Sequence, residues 1–332
     1  MATAAPSEST AESSSHKDRP QVLPYWALVG QEQLITALEL AFVNPALGGV
    51  LISGPRGTAK STAVRAFAVM AANELPVTLP LGATVDRVVG GWSVEMLLKG
   101  APEKMDGLLA AAAGSDAKML YVDEVNLLDD YLVDVLLDVA SSGILHAERE
   151  GLTSTRTGVD FTLVGTMNPD EGGLRPQLLD RFGLVLTTKS GTAAAERAKI
   201  ITAALRLEEA KAEARAGRRH PFWDECEHRE LRARGRLHSA RRRLSSVKWE
   251  DIVDDCARVA EGLGVVGHRG PLALVNAARA RAALDNSTVA TREDVRAVAG
   301  LALVHRRSKN ESDTVPEWTA ADEQAVSDIL GG

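Results

Sequence analysis

Residues 51–62, LISGPRGTAKST, carry side chains of the types and spacing that bind a triphosphate. An apolar run precedes them, and apolar residues at helical spacing follow as far as about residue 75. A strand, a glycine-rich loop and a helix in this order predict a phosphate-binding loop, whose backbone N–H groups attract anions. The residues expected around the phosphates are Gly54, Pro55, Arg56, Gly57, Thr58, Ala59, Lys60, Ser61 and Thr62.

Two side chains of this loop have specific chemistry. The Lys60 ammonium is expected to reach the β- and γ-phosphates, and the Ser61 hydroxyl can ligate Mg²⁺. Ala59 stands where the general pattern has a glycine, but a methyl group is the smallest possible intrusion. ATP and Mg²⁺ are therefore the expected ligands.

Two carboxylates follow a second apolar run. Residues 119–122 predict a buried parallel strand that ends in Asp123 and Glu124. Ligands of such sheets bind at the carboxyl ends of the strands, so these side chains should face the loop. Asp123 can hold Mg²⁺ through water, and Glu124 can orient the attacking water. The alternative is a strand end with two solvated acids.

Two further polar residues are candidates for the reaction. Asn168 follows the predicted strand 161–167, where its amide could position the water. Arg181 lies at a predicted helix end, from which a guanidinium could reach a neighbouring subunit's γ-phosphate. The alternative for Arg181 is a surface ion pair with Asp180.

The segment before the first helix is a candidate for contact with a base. Val29 and Gly30 precede an amphipathic helix predicted at 33–42, and the phosphate loop comes next in the chain. Such a segment commonly packs on adenine, with an apolar and a backbone contact. Val29 and Gly30 are therefore candidate cofactor-binding residues.

Composition restricts the class of protein. The 332 residues are 45 % apolar with a net charge of −7, which suggests about two domains and argues against nucleic-acid binding over the whole surface. Two cysteines, Cys226 and Cys256, predict free buried thiols and a reducing compartment. No apolar run reaches membrane-spanning length. The first 20 or so residues suggest disorder, with an organelle transit peptide as the alternative.

Between residues 206 and 248 the chain is locally basic, with 13 Lys and Arg against 7 Asp and Glu. A solvated helical face is the ordinary interpretation, and a docking surface for an acidic partner is the sharper one. Nucleic acid ranks third, because no aromatic residues alternate with the arginines in a base-stacking pattern.

The remaining patterns predict the other elements. They indicate a strand at 76–81, short helices at 94–99 and 105–113, a helix at 129–142, a hairpin at 143–158, helices at 190–217, 249–263, 271–284 and 291–305, and a short helix within 315–330. Pro271 suits a first helical position, and Thr291 with Asp294 resembles a capping box.

Several of these motifs together resemble a known family. GPRGTAKST, LPLGATVDRVVG, LYVDEVNLLDDYLVDVLLDVASSG, the EREG hairpin and LVGTMNPDEGGLRPQLLDRFGL are similar to the ATPase (I-type) subunits of magnesium chelatase. More broadly, they resemble the chelatase and MoxR-like AAA+ ATPases. The resemblance covers roughly residues 23–306.

The resemblance implies an α/β fold, a P-loop AAA+ core of parallel sheet and helices with a C-terminal helical lid. It implies a core at 23–189 with a helix-2 insertion at about 91–117 and a pre-sensor hairpin at about 143–160, a connecting helix and basic segment at 190–248, and a lid at 249–306. The polar composition of the two ends predicts tails at 1–22 and 307–332. The resemblance assigns Asn168 as sensor 1, Arg181 as the arginine finger and Arg269 as the sensor 2 arginine. It also implies a ring, usually a hexamer, with ATP between subunits.

The function implied is ATP-driven insertion of Mg²⁺ or Co²⁺ into a tetrapyrrole. The expected partners are a second AAA+ subunit with an integrin-like metal-binding domain and a large catalytic subunit. The expected compartment is the cytoplasm, or the plastid stroma if the N-terminus is a transit peptide. Two alternatives stay open: a MoxR-like chaperone for a von Willebrand-type protein, and a DNA-remodelling ring. Glu148, Arg149, Glu150 and Gly151 at the hairpin tip favour a protein partner over DNA.

Overall fold

The computed structural model describes residues 20–92, 104–149, 152–188, 194–218, 220–307 and 315–331. Strands β1 to β9 span Val50–Ser53, Val77–Leu79, Gly90–Trp92, Lys104–Asp106, Met119–Val122, Ile144–Arg149, Leu152–Thr157, Thr162–Met167 and Leu184–Thr187. Helices α1 to α12 span Glu32–Val43, Lys60–Ala72, Val85–Val89, Leu108–Gly114, Asp130–Ser142, Pro176–Leu179, Ala194–Arg215, Pro221–Arg243, Val253–Gly262, Arg269–Leu284, Arg292–Leu303 and Ala320–Leu330.

Five strands form one parallel sheet in the order β2-β5-β8-β1-β9. β1 lies between β8 and β9, with Val50 opposite both Val164 and Leu184. The strands β1, β5 and β8 are buried at every position, as apolar runs covered on both faces require. Because the strands are parallel, the carboxyl ends of β1, β5 and β8 meet at one edge.

Helices cover both faces of this sheet. One face packs with α1, α2 and the C-terminal helices in a single apolar cluster that includes Phe42 and Phe67. The other face packs with α4 and α5 in a cluster that includes Phe161 and Phe182. The predicted α/β core with a helical region after it is therefore confirmed.

Two small antiparallel pairs project from the core. β3 pairs with β4, and β6 pairs with β7 as the predicted hairpin. An ion pair of 2.9 Å between Arg156 and Asp106 joins the two pairs. The predicted helix at 94–99 and the hairpin tip at 150–151 lie outside the described residues.

The prediction of a helix from residue 105 is wrong at its start. Residues 104–106 form β4, and the helix begins at Leu108. Gly107 explains the break, because a Cβ there would lie 2.3 Å from both the Gly90 nitrogen and the Val88 oxygen. This close approach of two backbones sets the pairing of β3 with β4.

The C-terminal helices follow the predicted order with shifted starts. The capping box of Thr291 and Asp294 is present, and a second one at Thr319 and Asp322 begins α12, the helix predicted near the C-terminus. α10 begins at Arg269, so Pro271 is its third residue and not its first. None of the described helices combines the length and apolarity needed to cross a bilayer.

The arginines of α8 bind the rest of the chain. Arg234 donates to the Met70 oxygen at 2.7 Å, Arg236 pairs with Glu39, and Arg243 donates to the Ala283 oxygen at 2.8 Å. These contacts attach α8 to α1, α2 and α10. A docking role of the basic segment for an acidic partner stays a prediction.

Both cysteines, Cys226 and Cys256, are free and buried, as predicted. Burial raises the pKa of the Cys256 thiol to about 12, with a smaller contribution from the charge of Asp255. The Cys256 thiol is thus held in its unreactive protonated form.

Candidate functional site

The phosphate-loop motif adopts the strand, loop and helix that its sequence predicts. β1 ends at Ser53, and the Gly54 nitrogen donates to the Met167 oxygen of β8 at 3.1 Å. A Cβ at Gly54 would lie 2.2 Å from the Thr188 hydroxyl oxygen and 2.7 Å from the Thr188 carbonyl oxygen. Only glycine fits there, so the chain can turn tightly out of the sheet and into the loop.

Ala59 has a left-handed backbone, with φ 59° and ψ 22°, directly before α2. A residue with a Cβ adopts this conformation at a cost of roughly 1–2 kcal/mol. The backbone conformation, and not lack of room for a methyl group, therefore explains why a glycine suits this position. The loop keeps its shape with alanine at the expense of local strain.

The Lys60 ammonium lies over the loop. Its Nζ donates to the Gly54 oxygen at 2.5 Å and to the Pro55 oxygen at 2.8 Å. Partial burial lowers the pKa of Lys60, and the negative charges of Asp123, Glu124 and Glu171 oppose that shift. The charge of Lys60 is thus directed into a cleft that also holds carboxylates.

Asp123 is held by three hydroxyl groups. The Thr166 hydroxyl donates to Oδ1 at 2.6 Å and the Tyr121 hydroxyl at 2.8 Å, while Ser61 Oγ lies 3.5 Å from both carboxylate oxygens. Tyr121 also lies 2.9 Å from Ser61 Oγ. Burial raises the pKa of Tyr121 to about 12, so its hydroxyl stays protonated and able to donate.

Glu124 is connected to the loop through an arginine. Its backbone nitrogen donates to the Thr166 hydroxyl at 3.3 Å, and its φ of 54° turns the chain out of β5. The carboxylate lies 3.9 Å from the Arg56 guanidinium, which also pairs with Glu171. Arg56 thus joins two acidic residues across the mouth of the cleft.

Asn168 lies where the sequence predicts it, one residue beyond β8. The residue is 5 % exposed, and its Oδ1 accepts from the Asp170 nitrogen at 3.3 Å. The structure thus brings the amide, the loop and both carboxylates into one cleft. The cleft is lined by Arg56, Gly57, Thr58, Ala59, Lys60, Ser61, Thr62, Asp123, Glu124, Thr166, Met167 and Asn168.

Val29 and Gly30 do not line this cleft, but the next residue contacts the loop. Gln31 Nε2 donates to the Thr58 oxygen at 3.1 Å. Gly30 has a φ of 69°, and a Cβ there would meet the Glu196 carboxylate of α7 at 3.9 Å. The segment therefore passes between the phosphate loop and the start of α7, beside the cleft.

The oxygen donors in the cleft suit Mg²⁺. This ion prefers oxygen ligands and usually keeps several waters, so one or two protein ligands with a phosphate suffice. Ser61 Oγ and the Asp123 carboxylate offer such a pair, and the three hydroxyls around Asp123 fix its orientation.

Arg181 and Arg269 lie away from the cleft that contains Lys60. Both line a second depression, the arginine depression, together with Leu47, Asp138, Asn276 and Arg306. The Arg181 side chain is 28 % exposed and pairs with Asp134 at 2.7 Å, while the Arg269 side chain is 56 % exposed. The two arginines are thus together, but they do not share a cleft with Lys60 of the same chain.

Asp180 is not the ion-pair partner of Arg181. Its carboxylate pairs with Arg269 at 3.2 Å and with Arg306 at 3.1 Å. The expected alternative for Arg181, a pair with the adjacent Asp180, is therefore wrong because two arginines from the C-terminal helices bind that carboxylate.

Four residues of these sites are missed by sequence reasoning: Tyr121, Thr166, Glu171 and Arg306. Tyr121 and Asp123 are two apart in an extended segment, so period-two alternation places them on one face and could have identified the tyrosine. The same rule relates Thr166 to Asn168. Glu171 and Arg306 have no local signal, because their partners are distant in the sequence.

The fold and the cleft define an AAA ATPase. Residues 49–182 match the family of the AAA domain (dynein-related subfamily), and residues 254–329 match the AAA lid domain. A crystal structure of a Cytophaga hutchinsonii protein has the same fold, with 17 % identity and a TM-score of 0.57 over 92 % of this chain and 90 % of that chain.

Proteins that are similar over nearly the whole chain define the family more narrowly. The magnesium-chelatase 38 kDa subunit of Cereibacter sphaeroides is 39 % identical over 92 % of this chain and 98 % of its own. The magnesium-chelatase subunit ChlI homolog of Methanocaldococcus jannaschii is 37 % identical over 86 % of this chain and 85 % of its own. The chain belongs to the family of the magnesium-chelatase 38 kDa subunit.

Proposed function

We propose that the chain is the ATP-hydrolysing subunit of a metal chelatase and drives insertion of Mg²⁺ or Co²⁺ into a tetrapyrrole. The observation that carries this proposal is the likeness to magnesium-chelatase subunits over nearly the whole chain, and the phosphate-loop cleft supports it. The inserted ion is the substrate of the assembly and is distinct from the ion that accompanies ATP.

The triphosphate binds over the loop between Gly54 and Thr62. Lys60 leaves the loop carbonyls that it now contacts and donates to the β- and γ-phosphates. Ser61 and Asp123 would hold the Mg²⁺ of the nucleotide, which when bound neutralises charge on the phosphates. Val29 and Gly30, which precede the loop contact of Gln31, would contact the base.

The carboxylate of Glu124 orients the attacking water and accepts its proton. Asn168 lies in the same cleft, where its amide can hold that water in line with the γ-phosphate. Arg56 lies at the cleft mouth, where it pairs with Glu171 and is 3.9 Å from the Glu124 carboxylate.

The site is completed by a second copy of the chain. Arg181 and Arg269 line a depression that shares no residue with the Lys60 cleft, and both guanidiniums are partly exposed. A head-to-tail contact that repeats around a closed ring, a hexamer in our proposal, brings this depression to the next chain's nucleotide. Arg181 then acts as the arginine finger and Arg269 as sensor 2, both in trans.

The working assembly contains further subunits. The relatives are named as subunits of a chelatase, which supports a multi-subunit enzyme. We propose a second AAA+ subunit with an integrin-like metal-binding domain, a large catalytic subunit and a cytoplasmic location. The names of the relatives favour this function over a chaperone or a DNA-remodelling ring.

Reconstitution tests the proposal. The chain is combined with candidate partner subunits, a porphyrin, ATP and either Mg²⁺ or Co²⁺, and metalloporphyrin absorbance is followed. We expect insertion that requires this chain and ATP, and that is lost with Glu124→Gln although ATP still binds. Glu208→Gln, on the exposed side of α7, is the matched control. Insertion at an undiminished rate with Glu124→Gln would contradict the motor role.

A further inference from the structure

One buried arginine binds the backbone on both sides of Arg181. The Arg306 side chain is 3 % exposed and lies just after α11. Its guanidinium donates to the Asp180 oxygen at 2.7 Å, the Phe182 oxygen at 2.8 Å and the Gly183 oxygen at 3.2 Å. Residues 180, 182 and 183 are thus held by a single side chain, and Arg181 is enclosed between them.

The neighbouring residues fix the same turn from two more directions. His305 Nε2 lies 3.0 Å from the Phe182 oxygen, and burial lowers the pKa of His305 well below its usual value, so the ring is neutral and donates this bond. On the other side Gly183 presses against Leu47, since a Cβ at Gly183 would lie 1.6 Å from the Leu47 oxygen.

The Asp180 carboxylate joins this turn to the start of α10. Arg306 Nε donates to one of its oxygens at 3.1 Å, and Arg269 donates to the other at 3.2 Å. Arg269 and Arg306, two of the three arginines that line the arginine depression, are therefore joined through the carboxylate of Asp180, the residue directly before Arg181.

The burial of Arg306 makes these contacts rigid. A buried guanidinium is costly unless its donors are satisfied, and this one also donates to the Ala302 oxygen within its own helix end at 2.7 Å. Any shift of residues 180–183 would break several charge-assisted hydrogen bonds at once. The position of the Arg181 backbone is thus fixed by the C-terminal helices in addition to the hydrogen bond from its own nitrogen to the Leu178 oxygen of α6.

We propose that Arg306 is a positioning residue for the reaction: it fixes residues 180–183 so that Arg181 meets the nucleotide of the neighbouring copy. This role rests on the proposed function, in which Arg181 acts in trans. It makes the geometry of each shared site depend on the docking of the lid within the chain that supplies the finger.

Two substitutions measure this role. Arg306→Gln removes the ion pair and most of the donors, and a displaced finger should lower kcat by about 10–100-fold. The Kd for ATP should stay within about twofold, because Arg306 lies outside the Lys60 cleft. Arg306→Lys keeps the charge beside Asp180 but cannot span three carbonyls, so its kcat should be intermediate. Arg292→Gln breaks another arginine–aspartate pair of the C-terminal helices, with buried Asp255, and should keep kcat.

Mixed assemblies separate positioning from a general structural effect. Arg306→Gln mixed with Lys60→Ala should regain ATPase activity, since an intact loop then meets an intact finger. Arg306→Gln mixed with Arg181→Ala should regain none, because both variants are defective on the same face. Recovery with Arg181→Ala, or none with Lys60→Ala, would overturn the positioning role.

A reference mixture and a second variant complete the test. Lys60→Ala mixed with Arg181→Ala must regain activity; if it does not, the shared site itself is wrong and the positioning role is lost with it. If circular dichroism shows that Arg306→Gln is not folded, Asp180→Asn serves as the second variant. It removes only the charge of a carboxylate that is 37 % exposed. We expect Asp180→Asn to regain ATPase activity when mixed with Lys60→Ala and to regain none when mixed with Arg181→Ala. If this pattern is absent while the reference mixture recovers, the positioning role of Arg306 is overturned.

Discussion

The Lys60 cleft and the arginine depression are built in different ways. The cleft joins segments that directly follow β1, β5 and β8, three adjacent strands of one parallel sheet. The depression joins residues far apart in the sequence, such as Arg181 and Arg306, across the contact between core and C-terminal helices. Binding of the triphosphate is therefore encoded locally, while the arginines depend on how the lid packs.

The two regions also differ in how many hydrogen-bond and ion-pair partners their functional groups find within the chain. In the cleft, the Asp123 carboxylate is surrounded by the hydroxyls of Tyr121, Thr166 and Ser61. In the depression, Arg181 and Arg269 are partly exposed and paired with half-exposed carboxylates. Exposed pairs are weak, so these guanidiniums can exchange partners at little cost.

Removal of the loop lysine should have the largest effect. Lys60→Ala should weaken ATP binding by about 100-fold or more and abolish hydrolysis, since charge-assisted bonds to two phosphates are lost. Fluorescent-nucleotide titration measures this loss, and Lys199→Ala on exposed α7 is the control. Retained affinity in Lys60→Ala would remove the assignment of the cleft.

Removal of the finger should affect rate and not affinity. Arg181→Ala should lower kcat by about 1000-fold or more with ATP affinity nearly unchanged, because the arginine stabilises charge only in the transition state. Steady-state hydrolysis and nucleotide titration of the same preparation measure the two quantities. A parallel loss of affinity would show that the cleft and the depression are not distinct.

The hydroxyl of Tyr121 should influence the metal more than the nucleotide. Tyr121→Phe removes the bond that orients Asp123 beside Ser61, so the affinity for Mn²⁺ with a non-hydrolysable ATP analogue should fall by about tenfold. Electron paramagnetic resonance of Mn²⁺ measures it directly. Tyr131→Phe, which removes an exposed hydroxyl, is the matched control; equal Mn²⁺ affinity in the two variants would contradict the role of Tyr121.

The smallest effect concerns the strained loop residue. Ala59→Gly should stabilise the chain by about 0.5–1 kcal/mol, because glycine adopts the left-handed backbone without a Cβ clash. Ala204→Gly, within the right-handed helix α7, should destabilise it by a similar amount. Urea unfolding compares them, and the same sign for both would contradict the strain at Ala59.

The parts predicted well from the sequence are those with local rules. The loop around Lys60, the strand before Asp123 and the capping box at Thr291 each follow from neighbouring residues, and all three are present. The sequence does not predict β4, because residues 104–106 are extended only through their hydrogen bonds with β3. It does not predict the short β9 either, because that strand depends on its pairing with β1.

The site residues also differ in whether local sequence rules predict them. Asp123, Glu124 and Asn168 are predictable as polar residues at strand ends, whereas the contact of Arg306 with Asp180 depends on the docking of the lid. The resemblance to chelatase ATPase subunits supplies Arg181 and Arg269 as candidates. The sequence predicts that Arg181 acts on a neighbouring subunit, but it does not indicate that Arg269 also lies apart from Lys60 of the same chain, which is a property of the tertiary packing.

The most direct test of a nucleotide site shared between two copies is the ATPase activity of mixed variants. Lys60→Ala and Arg181→Ala are each inactive in our account, yet an equal mixture should recover up to about a quarter of the native rate, since one interface in four combines an intact loop with an intact finger. Activity that stays at the level of the separate variants, after subunit exchange is verified, would contradict the shared site.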